Sequence, residues 1–171
     1  MTIEPTSSSQ VRSHSGGGIF NLGFAEIRIV LSGADTGGAM AISQQALQPR
    51  TLAGPLHTHA KETGFIYLLE GTIGAQLGDD TVTADPGDTV FVPKSMRHTF
   101  WSETDDRAEV LEIFTPAGLE DWFQELAEIV SSDPFDLDTI VESGLRFGTM
   151  LDLESIQTLM DEHALVFLTP G

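Results

Sequence analysis

Short apolar runs alternate with polar turns between residues 20 and 116. The runs are rich in β-branched and aromatic residues, which favour extended backbone, and turn residues separate them. The pattern predicts strands over residues 25–31, 39–47, 65–70, 73–77, 81–84, 89–92, 98–101 and 108–114, with a turn over 33–38. Many short strands at regular spacing are typical of an antiparallel sandwich or barrel, so the fold is predicted to be mostly β.

The hydrophobic period changes after residue 116. Leu119, Trp122, Phe123 and Leu126 recur at helical spacing, and similar patterns cover residues 138–146 and 153–163. These segments are predicted to be helices packed outside the barrel, with their aromatic and leucine stripes serving packing rather than a cofactor. The apolar segment 164–168 is expected to add a strand or to dock on the body.

Composition divides the chain of 171 residues into three parts. Residues 1–18 are polar and rich in Ser and Gly, which predicts a flexible N-terminal tail. Residues 19–116 are assigned to the β-barrel and residues 117–171 to a C-terminal helical appendage. This length suits one domain with a small addition.

The net charge argues against some classes of binding partner, and the absence of cysteine excludes cysteine-dependent chemistry. The formal net charge of −18 repels phosphate backbones and anionic membranes, so neither nucleic acid nor membrane is an expected partner. The absence of cysteine excludes disulfides, thiolate ligands and a cysteine nucleophile. The N-terminus has no cationic start followed by an apolar stretch, so the expected location is the cytoplasm.

Two histidines, His57 and His59, stand one residue apart just before an apolar run. Alternate residues of a strand point to the same face, so both imidazoles can reach one ion while Thr58 points away. A third histidine, His98, opens a later predicted strand. Imidazole is a good ligand for iron, nickel, copper, zinc and cobalt, so the three histidines predict a metal site.

These motifs resemble those of the cupin superfamily. The matching positions of the two motifs are Gly54, His57, His59 and Gly71, then Gly87, Pro93 and His98, with Ser95 in place of a glycine and Ser102 in place of a common asparagine. The segments 31–38 and 114–118 look like a bacterial single-domain group called quercetin-dioxygenase-like. The resemblance covers about residues 20–116. It implies a cupin jelly-roll barrel, one divalent transition metal and a homodimer.

The chain departs from the cupin pattern at Gly64, where the family has a glutamate ligand. Three alternatives remain open. The three histidines alone could bind the metal, Glu62 could supply a replacement carboxylate, or metal binding could be weak or lost. The expected metal is iron, with nickel, manganese, copper or zinc as alternatives.

Strand alternation also predicts the residues around the metal. The register across Gly64 places Ile66 and Leu68 on the inner face, and Phe100 shares the face of His98, so these three are candidate substrate-binding residues. From a neighbouring strand, either Met40 and Ile42 or Ala41 and Ser43 point inward. Such an apolar cavity with one metal favours an aromatic or polyketide-like small molecule.

Glu62 and Tyr67 are the candidate catalytic residues, because either could move a proton near the metal. The alternative for Glu62 is a solvated loop carboxylate, and the alternative for Tyr67 is a packing role. The functional hypothesis is a mononuclear metal-dependent enzyme, first of all a dioxygenase. A non-redox cyclase or isomerase is the second hypothesis, and a non-catalytic cupin that binds a small molecule is the third.

Overall fold

The computed structural model describes residues 18–132 and 136–167, so the predicted tail of residues 1–18 lies outside the described residues except for Gly18. Two antiparallel sheets and four helices make up this part of the chain. The strands are β1 Ile19–Asn21, β2 Ala25–Leu31, β3 Ala41–Leu47, β4 Leu56–His59, β5 Thr63–Glu70, β6 Ile73–Leu77, β7 Asp80–Ala84, β8 Thr89–Val92, β9 His98–Ser102, β10 Ala108–Thr115 and β11 Thr149–Asp152. The helices are α1 Gly33–Thr36, α2 Leu119–Val130, α3 Leu137–Phe147 and α4 Ser155–His163.

The two sheets form the jelly-roll barrel expected from the sequence. The six-stranded sheet has the order β1-β2-β3-β10-β5-β8, and the five-stranded sheet has the order β11-β4-β9-β6-β7. Alternate residues of each strand point between the sheets, where most of the hydrophobic core lies. Full burial of one large apolar side chain there contributes roughly 1.5–3 kcal/mol to stability.

The register of β3 and β10 is resolved by burial. Ala41, Ser43, Gln45 and Leu47 are the buried residues of β3, so the inner face carries Ala41 and Ser43 rather than Met40 and Ile42. On β10, the buried positions are the even-numbered ones from 108 to 114. Both inner faces therefore carry polar side chains among apolar ones.

The C-terminal segment is more than a helical appendage, because it also supplies β11. This strand pairs antiparallel with β4, and Thr149 lies opposite His59. The sequence pattern predicts no strand here, since four residues between two helices carry too short an alternation to detect. The segment 164–168 was expected to add a strand or to dock on the body, and residues 164–167 of it are described: Val166 forms an isolated bridge with Thr51, and Leu165 is buried in a core on the five-stranded sheet.

A second, smaller core holds α4 on the five-stranded sheet. Its buried members are Leu52, Leu56, Trp101, Leu159 and Leu165. The predicted turn at 33–38 contains the one-turn helix α1. Among the described residues, no helix is both long and apolar enough to cross a membrane.

Candidate metal centre

The three predicted histidines converge on one point between the sheets. His57 and His59 lie on β4, and His57 pairs directly with His98 on β9. The ring centroids are 4.3 Å apart for His57 and His98, 4.8 Å for His57 and His59, and 5.2 Å for His59 and His98. One nitrogen from each ring lies within 4.8 Å of the others. One ion can therefore contact all three imidazoles.

Each imidazole is oriented by a hydrogen bond at Nδ1. The partner of His57 is the carbonyl oxygen of Pro55 at 2.8 Å, and that of His98 is the carbonyl oxygen of Met96 at 2.9 Å. A carbonyl only accepts, so Nδ1 of these two rings carries the hydrogen and Nε2 keeps its lone pair. His59 Nδ1 lies 3.0 Å from Thr149 Oγ1, and the hydroxyl can accept in the same way. This second layer of contacts is the usual support of metal-binding histidines.

Burial keeps the three imidazoles neutral. Desolvation lowers the pKa of His57, His59 and His98 below the ordinary value, and the pKa of His59 falls to about 3. For His57 and His59, repulsion from a neighbouring imidazolium lowers the pKa further. Neutral imidazole is the form that binds a metal, so the donor set fits a divalent transition metal.

Glu62 lies outside this cluster. The described part of the chain forms a group of three histidine ligands that contains no carboxylate. Glu62 is 3% exposed, so the interpretation as a solvated loop residue is wrong. Its Oε2 has no hydrogen-bond partner among the described residues, and burial raises its pKa. The structure therefore does not support Glu62 as a replacement fourth ligand.

Gly64 occupies an ordinary buried strand position on β5. A Cβ there would lie 3.7 Å from Val92 Cβ and 3.8 Å from the Phe114 ring, which is normal contact. The Phe114 ring in turn packs edge-on against His59, with centroids 5.8 Å apart. An aromatic ring thus lies between Gly64 and the histidines.

A cavity opens from the histidines into the barrel, and its lining is almost entirely apolar. His57, His59 and Phe100 line it from the five-stranded sheet. The helices α2 and α3 cover it with Trp122, Phe123, Leu126, Val130, Leu137 and Ile140. The aromatic and leucine stripes of the C-terminal helices are therefore both packing surface and cavity wall, which corrects the expectation of packing alone.

The other predicted site residues are placed less centrally. Ile66 and Leu68 are buried on the inner face of β5, but they belong to the core and are not among the residues lining the cavity. Tyr67 points to the opposite face and is 39% exposed. A phenol on the outside of the sheet cannot exchange a proton with a ligand at the histidines, so the assignment of Tyr67 as catalytic is corrected.

Two polar residues that sequence reasoning missed line the same cavity. Glu112 on β10 and Gln45 on β3 are 5% and 3% exposed, and the Gln45 side-chain amide donates a hydrogen bond to Glu112 Oε2. Burial raises the pKa of Glu112 to about 8. The sequence signal for Glu112 was a carboxylate between the apolar residues Val110 and Phe114 on one face of a strand. The opposite face of β10 also carries apolar residues, so the sequence does not show which face points into the barrel.

Comparison with known families and structures gives one consistent fold. The cupin domain family matches residues 43–114. KdgF from Halomonas sp. is 16% identical with a TM-score of 0.58, and the match covers 67% of this chain and 99% of that one. An RmlC-like cupin from Shewanella frigidimarina is 16% identical with a TM-score of 0.57, covering 67% and 96%.

A third similar structure is the polyketide cyclase RemF from Streptomyces resistomycificus. It is 20% identical with a TM-score of 0.55, and the match covers 63% of this chain and 80% of that one. No curated protein matches the chain in sequence. Likeness at these identities is evidence of the shared fold, and the chemistry has to be argued from the site itself.

Proposed function

Because the chain belongs to the cupin superfamily, we propose that it is an enzyme with one divalent transition metal bound by His57, His59 and His98. The observation that carries this proposal is the convergence of three neutral imidazoles, each with its Nδ1 already bonded, beside an apolar cavity that His57 and His59 line. With Nδ1 bonded, the Nε2 lone pair of each ring has no hydrogen-bond donor among the described residues and is available to a metal.

The substrate that we propose is a small aromatic or polyketide-like molecule. None of the described residues that line the cavity is a lysine or an arginine, so they offer no counter-charge to a phosphate or a free carboxylate. Its apolar walls suit a flat, hydrophobic molecule with a few polar groups. RemF, which shares the fold, is a polyketide cyclase, and a cavity of this composition would suit that class of substrate.

The reaction that we propose first is dioxygenation, with iron as the expected metal. A bound metal of this kind supplies Lewis acidity and, when redox-active, chemistry with dioxygen. His57, His59 and His98 would hold the metal through three protein ligands, a number that would leave it accessible to a substrate. A dioxygenase transfers both oxygen atoms to its substrate, which supplies all the electrons, so no separate reductant is required.

The protein residues around the histidines would bind and orient the substrate. Phe100, Phe114 and Trp122 present aromatic surface to a flat ligand, and the cover of α2 and α3 restricts the entry of water. The backbone carbonyls of Pro55 and Met96 hold the His57 and His98 rings in place. Histidine rings held in place, together with the exclusion of water, would keep the reacting groups in a productive geometry.

A non-redox cyclisation or isomerisation is the second candidate, and Glu112 favours it. This carboxyl group lines the cavity and its burial raises its pKa to about 8, so it can hold a proton at neutral pH. A cyclase or isomerase needs a proton donor in the same cavity as its Lewis acid, and Glu112 lines the cavity that His57 and His59 line.

Oxygen uptake distinguishes the two reactions. The protein is loaded separately with iron, nickel, manganese, copper and zinc, and tested against flavonols and other aromatic molecules with adjacent oxygens. Uptake with a redox-active metal, abolished in His98→Ala, supports the dioxygenase. Turnover with zinc and without oxygen uptake supports the second candidate. Absence of metal binding in every preparation contradicts both, and leaves a barrel that only binds its ligand.

Homodimer formation stays a prediction. Phe91 on the edge strand β8 is 52% exposed, and Leu69 on the neighbouring strand is 40% exposed, so this sheet edge offers apolar surface to a second copy. Light scattering of the wild type and of Phe91→Glu measures the mass directly. A dimeric wild type and a monomeric variant would support this interface, whereas a monomeric wild type would exclude it.

A further inference from the structure

Glu112 and Gln45 form a polar pair on the cavity wall that faces the histidine sheet. They lie on the neighbouring strands β10 and β3, where Glu112 is paired with Ser43 and Val110 with Gln45. The pair is therefore diagonal across one face of the six-stranded sheet. The adjacent inward residue of β10, Phe114, contacts His59, which places Glu112 about 7 Å further along the strand.

The pair has unused hydrogen-bonding capacity. Its internal bond uses the Gln45 amide nitrogen and Glu112 Oε2. Among the described residues, neither Glu112 Oε1 nor the Gln45 side-chain oxygen has a hydrogen-bond partner. Polar side chains of buried residues normally find partners, and both residues are buried and line the cavity. The missing partner is therefore expected to come from whatever occupies the cavity.

The protonation state defines what the pair can recognise. Where the structure describes the cavity wall it carries no lysine or arginine, and burial raises the pKa of Glu112 to about 8. A neutral carboxylic acid donates through its hydroxyl, and the side-chain oxygen of Gln45 accepts. Together they offer one donor and one acceptor to a ligand.

We propose that Glu112 and Gln45 form a second polar anchor, which binds a carbonyl or hydroxyl group of the substrate away from the histidines. The expected ligand is a largely apolar ring molecule with oxygens at two separate places, one near the histidines and one near Glu112. The identity of this ligand as a substrate rests on the proposed function, but the anchor itself can be tested without turnover.

The test compares two probes that differ by one hydroxyl group, 2-naphthol and naphthalene. Equilibrium dialysis, read by the fluorescence of the probe, measures the affinity of the purified full-length protein for each. The wild type is expected to bind 2-naphthol about tenfold more tightly, the equivalent of one well-formed hydrogen bond. Glu112→Leu should bring the two affinities within about twofold, while Glu112→Gln, which keeps a neutral donor, should retain most of the preference.

Two further variants keep the test decisive. Gln45→Met removes the other half of the anchor and should also weaken 2-naphthol binding. Thermal unfolding shows whether Glu112→Leu folds, and Gln45→Met replaces it in the test if it does not. His98→Ala removes a metal ligand and should leave the preference for 2-naphthol intact. The preference would then survive even if the metal-dependent function failed.

The proposal is overturned by any of three results. If Glu112→Leu folds and keeps the wild-type preference, the pair only links β3 to β10. If neither probe binds to the wild type, the cavity is not a site for ring molecules. A preference that disappears in His98→Ala but persists in Glu112→Leu would assign the hydroxyl contact to the histidines instead.

Discussion

The two walls of the cavity bury ionisable groups with opposite consequences. On the five-stranded sheet, burial lowers the pKa of the histidines, whereas on the six-stranded sheet it raises the pKa of Glu112. The cause is the same, since loss of water disfavours whichever form is charged. One wall therefore presents neutral bases that can bind a metal, and the other presents a neutral acid that can donate a hydrogen bond.

The two walls also differ in how completely their polar atoms are bonded. All three histidines have a partner at Nδ1, from the backbone or from Thr149. Glu112 has a single partner, the Gln45 amide, among the described residues. The histidine wall, which is the five-stranded sheet with His57, His59 and His98, is thus already arranged for its ligand. In the Glu112 wall, which is the six-stranded sheet with Glu112 and Gln45, only some of the polar atoms have hydrogen-bond partners. The predictions below test this difference, from the largest expected effect to the smallest.

Removal of one ligand should break the histidine wall as a metal site. His98→Ala is expected to weaken binding of Co²⁺ or Zn²⁺ by on the order of a thousandfold, because two neutral ligands remain. Titration followed by competition with a chelator measures the affinity. The control is His163→Gln, since His163 stacks on Trp101 away from the cluster. Equal affinities of His98→Ala and the wild type would contradict the three-histidine site.

Substitution of Glu112 by glutamine should change how stability depends on pH. Between about pH 4.5 and 8 the unfolded chain has released this proton while the folded protein keeps it. The free energy of unfolding therefore loses up to about 1.4 kcal/mol per pH unit as pH rises, and a few kcal/mol across the window.

Urea unfolding of metal-free wild type and Glu112→Gln at several pH values measures this effect. The histidine contributions are common to both proteins and cancel in the difference. The advantage of the wild type relative to the variant should be greatest near pH 4.5, decline through neutrality and level off above pH 8. Parallel profiles would show that Glu112 is ionised in the folded protein at neutral pH.

Thr149 provides a finer test of the histidine wall. Thr149→Val removes the hydroxyl that contacts His59 Nδ1 and keeps the shape of the side chain. Metal affinity is expected to fall about 10- to 100-fold, as for other partners of metal-binding histidines. Thr58→Val, on the same strand but between the two histidines, should leave the affinity unchanged. If Thr149→Val binds metal like the wild type, the orientation of His59 does not depend on this hydroxyl.

The smallest effect is expected at Gly64. Because the added Cβ makes only ordinary contacts, Gly64→Ala should change the free energy of unfolding by no more than about 1 kcal/mol and preserve metal binding. Gly71→Ala is the contrasting variant, since Gly71 has φ 76° and its Cβ would lie 2.4 Å from the Arg107 carbonyl oxygen. Urea unfolding compares them. A similar loss of unfolding free energy in both variants would mean that the backbone at residue 64 also requires a glycine.

The histidine wall could be predicted from the sequence, because its signal is local. His57 and His59 share a strand face by parity alone, and His98 opens a strand that the alternation pattern identifies. The outward position of Tyr67 follows from the same parity, whereas the buried position of Glu62 could not be predicted. Loop geometry decides where Glu62 points, and the parity that places Ile66 inward places Tyr67 outward.

The other wall could not be predicted, because its residues become neighbours only through pairing of distant strands. Gln45 and Glu112 are 67 positions apart, and both faces of β10 carry apolar residues, so parity cannot decide which glutamate is inside. Thr149 was missed because a four-residue strand between helices has too little pattern. These contacts depend on the packing of the whole barrel.

Elemental analysis of the wild type, purified without a metal-affinity step, tests the central claim most directly. We predict close to one divalent transition metal per chain, because three neutral imidazoles converge with their Nδ1 atoms already bonded. Iron, nickel, copper or manganese would favour dioxygenation, and zinc would favour the non-redox reaction. A protein that contains no metal as purified, and takes up none on reconstitution, would contradict the account.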